Sequence, residues 1–185
     1  MDILLSFFWA FIAVVRLRQG LSMREVLPLY LAIQALLVSW SILRRRPPIR
    51  KVSFWQEGLA WLSALLPLTI RLGRDYLPYL EPLAIAGVAL SILAVNRLGK
   101  SFGVAPADRG MVTDGIYRVI RHPMYLGELL AILAASLSQP GFWNGLVLIF
   151  ALVTTILRIG WEEKVLTGYQ EYSQQVRWRL LPGVW

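Results

Sequence analysis

The chain has no cysteine and one histidine in 185 residues. The first absence excludes a disulfide framework, a thiolate nucleophile and a sulfur-ligated metal. It leaves the redox compartment unread. Charge is scarce as well: 16% of residues are Asp, Glu, Lys or Arg, against 57% hydrophobic. With a mean hydropathy of +0.56, the chain is not a soluble domain. There is no internal repeat, no low-complexity tract and no independent soluble module. What fills the chain instead is a series of apolar runs approaching the ~20 residues that a bilayer core requires. The formal charge of +8 could point to nucleic acid. The basic residues flank the apolar runs, however, so they are read as topology determinants and contacts to anionic lipid head groups.

The expected architecture is therefore all-α: a polytopic membrane protein of five to six spans forming one compact domain. The N-terminal helices occupy 1–97 and a second half occupies 98–185. The first run, 3–15, is short. A signal peptide competes for it, but Asp2 stands where a basic residue is expected, and Arg16 and Arg18 follow rather than precede. Further spans are expected at 26–43, 54–70 and 79–95, the last preceded by a turn at 75–78. The polar, glycine-rich connector 96–121 comes next. Two shorter runs, 124–137 and 142–157, are parted only by 138–141, with Gln139, Pro140 and Gly141 as breakers. So tight a link makes them an antiparallel hairpin. From Gly160 the chain is helical to about Val176, and a tail follows.

In that arrangement most Lys and Arg fall on one side, in 44–51, in the connector and in the tail. The other side keeps Arg16, Arg18, Arg24, Arg71 and Arg74. The positive-inside rule places the connector and the tail together in the cytoplasm. Two chemical regions then share a face. The first surrounds His122, held at the mouth of a helix by Pro123, which suits a first helical turn and pushes its predecessor toward an extended conformation. Tyr125 lies one turn further in. The second runs from Arg158 through Glu162 and Glu163 to Tyr172, with Arg158, Glu162, Leu166 and Tyr169 along one helical stripe.

Taken singly, each residue has a plainer reading. His122 could be an interfacial histidine bonded to a carbonyl, and Arg121 a lipid-phosphate anchor. Tyr117 and Tyr125 could belong to an aromatic belt. Arg158 and Glu162 could form a surface ion pair worth well under ~1 kcal/mol. Glu128, inside an apolar run, either marks a function or reaches for water near a helix end.

Together the residues carry a resemblance. Gly115, Tyr117, His122, Pro123 and Tyr125 form GxY-x4-HPxY. After a short hairpin come Arg158, Glu162, Glu163 and Leu166 as R-x3-EE-x2-L, then Glu171, Tyr172 and Val176 as EY-x3-V. Over roughly 98–182 the chain resembles the isoprenylcysteine carboxyl methyltransferase family, and the related phospholipid N-methyltransferases share part of the pattern. The resemblance implies an integral membrane methyltransferase that uses S-adenosylmethionine in a cytosolic pocket. It implies cofactor contacts from Arg109, Gly110, Met111, Val112, Tyr117, His122, Pro123, Met124, Tyr125 and Glu162. It also implies that Arg158 faces the substrate, with Arg158, Glu162 and Glu163 as the catalytic group and no metal.

The residue chemistry is consistent with that expectation. Methyl transfer from a sulfonium is an in-line displacement, so the protein must chiefly align two reactants and exclude water. The helix beginning at Pro123 offers free N–H groups to a carboxylate, and tyrosine faces suit a cation. A carboxylate acceptor needs no strong base, whereas an amine or thiol needs a proton acceptor, for which His122 or Glu163 stand available. The expected partners are a lipophilic or prenylated substrate entering between helices and the surrounding membrane lipids, with no nucleic acid; the oligomeric state is open. Phospholipid N-methylation and small-thiol S-methylation are the alternatives among enzymes. Outside enzymes, a small transporter or scaffold would place Glu57, Glu128 and Arg158 along a pathway.

Overall fold

A computed structural model describes residues 2–23, 26–71 and 80–185, and over these the chain is built almost wholly of helices. In order they are α1 (Asp2–Met23), α2 (Val26–Arg44), α3 (Phe54–Leu65), α4 (Glu81–Leu98), α5 (Pro123–Ser138), α6 (Phe142–Val165) and the short α7 (Tyr169–Gln175). Two two-residue strands, β1 (Arg50–Lys51) and β2 (Ala107–Asp108), pair antiparallel. The turn expected at 75–78, the residues Arg24 and Arg74, and the expected helix start at Tyr79 lie outside the described residues.

Among the described residues three helices are long and apolar enough to cross a membrane: Ile3–Ser22, Glu81–Ser101 and Phe142–Val165. Pro28–Arg44 and Pro123–Ser138 are apolar but shorter. The chain is thus an integral membrane protein. The first helix corrects the expected short run 3–15. Arginine is a good helix former with a long apolar stem, so Arg16 and Arg18 continue the helix instead of stopping it. The third apolar run is broken where Pro67 removes a backbone donor. There α3 gives way to a 3-10 turn, Leu66–Thr69. Only Gln139, Pro140 and Gly141 separate α5 from α6, and the two helices pack side by side.

Lipid gives helices no hydrophobic reason to associate, so close backbone approach and buried hydrogen bonds carry the packing. α4 and α5 cross at glycine. A Cβ on Gly127 would lie 2.5 Å from the Gly87 carbonyl oxygen, and one on Gly87 would lie 2.7 Å from that of Gly127. α1 is joined to α2 where the hydroxyls of Ser6 and Ser39 meet at 2.8 Å. Gln34 of α2 donates to Ser91 of α4 at 2.9 Å, and Thr154 of α6 donates to Ser63 of α3 at 3.0 Å.

The two strands bring the α2–α3 loop against the connector. Ile49 N–H donates to the Asp108 carbonyl at 2.7 Å, and Arg46 N–H to that of Lys100 at 2.8 Å. The tail returns to the same end, where Ile120 and Trp178 form a parallel bridge. Arg121 and His122 N–H donate to the carbonyls of Trp178 and Arg179, each at 2.9 Å. The connector, the end of α6, α7 and the tail are thereby gathered at one end of the bundle.

Candidate active site

At that end the connector and the last turns of α6 enclose a cleft of about 590 Å³. Arg109, Gly110, Met111, Val112, Tyr117, His122, Met124 and Glu162 all line it. Pro123 and Tyr125 are fully covered and do not reach its wall. Glu163 lies behind it.

Local backbone puts these groups where they are. Pro123 opens α5 at its first position, leaving His122 as the residue before the helix. Gly110 takes φ +94, a conformation that costs a side-chain-bearing residue dearly. Its N–H donates to Asp108 Oδ1 at 3.0 Å, and this Asx turn folds 109–112 along the cleft. Asp108 Oδ2 in turn accepts from Thr167, from the hydroxyl at 2.6 Å and from the backbone N–H at 3.0 Å. Burial raises the Asp108 carboxyl, but these bonds and the charge of Arg50 outweigh it, so it titrates below its ordinary 3.8. One buried aspartate thus joins the connector to the α6–α7 link.

The twin glutamates are treated differently. Glu163 accepts from Arg179 at 2.7 and 2.9 Å and from the Tyr169 hydroxyl at 2.6 Å. Arg121 approaches it at 3.5 Å and His122 at 3.4 Å. Glu162, one residue earlier and therefore about 100° around the helix, accepts from the Tyr125 hydroxyl at 2.6 Å and lines the cleft. Arg121 is no lipid anchor. Its guanidinium is largely buried, donating to the Tyr169 hydroxyl at 2.8 Å and the Arg177 carbonyl at 3.1 Å. Tyr117 and Tyr125, at 6% and 2% exposure, are no aromatic belt. The Tyr172 hydroxyl donates to the Tyr117 carbonyl at 2.6 Å. Burial pushes it to about 12, and Tyr169 is raised by burial and by Glu163. Both remain neutral donors at neutral pH.

Arg158 faces away from the cleft. It is buried beneath it, 3.6 Å from Glu128, with its guanidinium 4.6 Å from the Tyr125 ring centroid. It donates to the Val104 carbonyl at 2.9 Å and to Ser63 at 3.4 Å. In place of a surface pair with Glu162, the buried Arg158 pairs with the half-buried Glu128. Together Arg158 and Glu128 stand at one end of a second, largely apolar chamber of about 1220 Å³ lying among α1 to α6.

Sequence reasoning passed over Asp108, Arg179 and the chamber. Asp108 had a usable signal, an aspartate two residues before a glycine. Arg179 had none, because it sits in a returning tail with no helical period. The chamber draws its lining from six helices far apart in sequence, so no local pattern marks it.

The described residues thus form a membrane-embedded helical bundle with a polar cleft at one end and an apolar chamber behind it. The family model described as phospholipid methyltransferase matches residues 82–174, half of the chain, and the protein belongs to that family. It is accordingly a membrane methyltransferase. The match takes in α4, the connector, the α5–α6 hairpin and most of α7. Comparison with curated proteins finds no match.

Proposed function

We propose that the protein transfers a methyl group from S-adenosylmethionine, bound in the cleft from the cytoplasm, to a lipophilic acceptor whose apolar part occupies the chamber. The observation that carries this reading is the polar cleft set back to back with the apolar chamber. Reactants that prefer incompatible solvents can meet across such a wall and nowhere in free solution. The cytoplasmic orientation is supported by the excess of Lys and Arg at the cleft end.

The residues present fit the cofactor. The cleft lining combines a carboxylate, tyrosine faces and the main chain of 109–112. Glu162 would accept from the amino group or a ribose hydroxyl. Tyr117 would lie against the adenine or the sulfonium. At the first turn of α5, beside His122 and Pro123, the Met124 and Tyr125 N–H groups would face the carboxylate. When bound, the cofactor supplies a methyl group on sulfur that leaves its bonding electron pair behind. The protein's part is alignment and exclusion of water. Tyr125 fixes Glu162 from behind, and Glu163 locks the tail onto α6 so that the cleft keeps its shape.

At the acceptor end Arg158 would orient a carboxylate, as the resemblance to isoprenylcysteine carboxyl methyltransferases implies, and a carboxylate is already a nucleophile at neutral pH. A second reading, N-methylation of an amine-bearing lipid, is favoured by Glu128. A carboxylate beside Arg158 in an apolar chamber attracts an ammonium and repels a second carboxylate. Calorimetric titration with S-adenosylmethionine, followed by assay against prenylated thioacids, ethanolamine lipids and alkyl thiols, tests both. Absence of cofactor binding overturns the proposal. Turnover of the amines alone replaces the first acceptor with the second.

A further inference from the structure

The cleft and the chamber are separated by very little protein. Along 101–105 successive residues turn to opposite sides: Ser101, Gly103 and Ala105 line the cleft, whereas Phe102 and Val104 line the chamber. One chain thickness is the wall. Arg158 holds it from the chamber side through the Val104 carbonyl at 2.9 Å. Arg109 presses on it from the cleft side, where a Cβ on Gly103 would lie 2.5 Å from Nη1. Among the described residues Met124 lines both cavities. It is the second residue of α5 and 6% exposed.

We propose that Met124 is the partition between the two cavities, and that its side chain determines which acceptors react. Its thioether is unbranched with three rotatable bonds, so it can change rotamer within a packed site at small cost. The neighbouring wall residues are less free. Phe102 and Val104 are buried in the core around Met124, and the Val104 carbonyl is held by Arg158. A reacting group at the end of a chamber-bound chain therefore meets the cofactor side by displacing Met124, and the space it vacates limits the bulk of that group. The partition follows from the cavity walls alone. Only its role in acceptor choice rests on the proposed function.

The absence of native cysteine permits a test by thiol accessibility. Met124→Cys, Val104→Cys and Ala105→Cys are each exposed in vesicles to a charged, membrane-impermeant methanethiosulfonate and to an apolar maleimide. The charged reagent should modify Ala105→Cys and Met124→Cys but spare Val104→Cys. The apolar reagent should modify Val104→Cys and Met124→Cys. S-adenosylhomocysteine at 100 times its Kd should slow the charged reaction at Ala105→Cys by about 100-fold. It should leave the apolar reaction at Val104→Cys unchanged. Labelling of Met124→Cys from one side only overturns the partition. Equal access of the charged reagent to Val104→Cys and Ala105→Cys overturns the wall, even if the Met124 variant does not fold. Correct access without protection leaves the partition standing and removes the cofactor assignment.

Discussion

The cleft and the chamber lie on two sides of one strand of chain, yet they are held together by different means. Around the cleft, polar groups hold one another: Glu163 with Arg179 and Tyr169, Asp108 with Thr167 and Gly110, Tyr172 with the Tyr117 carbonyl. Around the chamber the walls are mostly apolar, with Arg16, Gln34, Ser63 and the ion pair of Arg158 with Glu128 standing in them. The difference shows where each kind of interaction is needed. The connector, α7 and tail have no repeating apolar face, so a dense hydrogen-bond network must fix their shape. The transmembrane walls are fixed by helix packing, and a charge placed there is expensive unless it serves a purpose.

Breaking the chamber's pair should have the largest effect. Arg158→Ala removes the tie to Val104 and leaves Glu128 uncompensated, so turnover should fall by about 100-fold or more. The Kd for S-adenosylmethionine should change by less than about threefold, because Arg158 is not part of the cleft. Parallel measurement of kcat and cofactor Kd checks this, and an equal loss in both would erase the division between the two cavities.

Next come the paired glutamates, which sharpen the comparison within the cleft. Glu163→Gln weakens bonds to two charged or strongly bound donors and should cost about 2–3 kcal/mol of stability without any ligand, seen as a lower Tm in detergent. Glu162→Gln should leave that Tm nearly unchanged, because an amide oxygen can still accept from the Tyr125 hydroxyl. It should weaken cofactor binding by about tenfold, or ~1.4 kcal/mol. The reverse pattern would exchange the two roles.

The smallest effect concerns Asp108. Its folded carboxyl titrates below the ordinary 3.8, so the stability it contributes is fully present above that value. It is lost as pH falls through the still lower folded value. Asp108→Asn should cost about 1 kcal/mol at neutral pH and should flatten the acid limb of a stability-against-pH curve. An unchanged acid limb would show that the Thr167 tie carries no weight.

How much of this could be read beforehand depended on the kind of signal. The helices were legible because apolar runs and Pro, Gly breakers state them directly. The motif spacing around His122 and Glu162 led to the cleft, since HPxY fixes a helix start and Arg158-x3-Glu-Glu is periodic on one helix. The partnerships were not legible. At helical spacing Arg158 faces Glu162 as readily as any residue on α5, and only packing shows that Glu128 is the partner. The first helix was read too short because the charge of Arg16 ends an apolar run without ending a helix. Glu162 and Glu163 look equivalent in sequence, and a turn of about 100° sends one to the cleft and the other to Arg179.

The most direct test is a calorimetric titration of S-adenosylhomocysteine into the parent protein, with Glu162→Gln and Arg158→Ala run beside it. The account predicts binding by the parent, about tenfold weaker binding by Glu162→Gln and parent-like binding by Arg158→Ala. Parent-like binding by Glu162→Gln together with lost binding by Arg158→Ala would place the cofactor in the other cavity and contradict it.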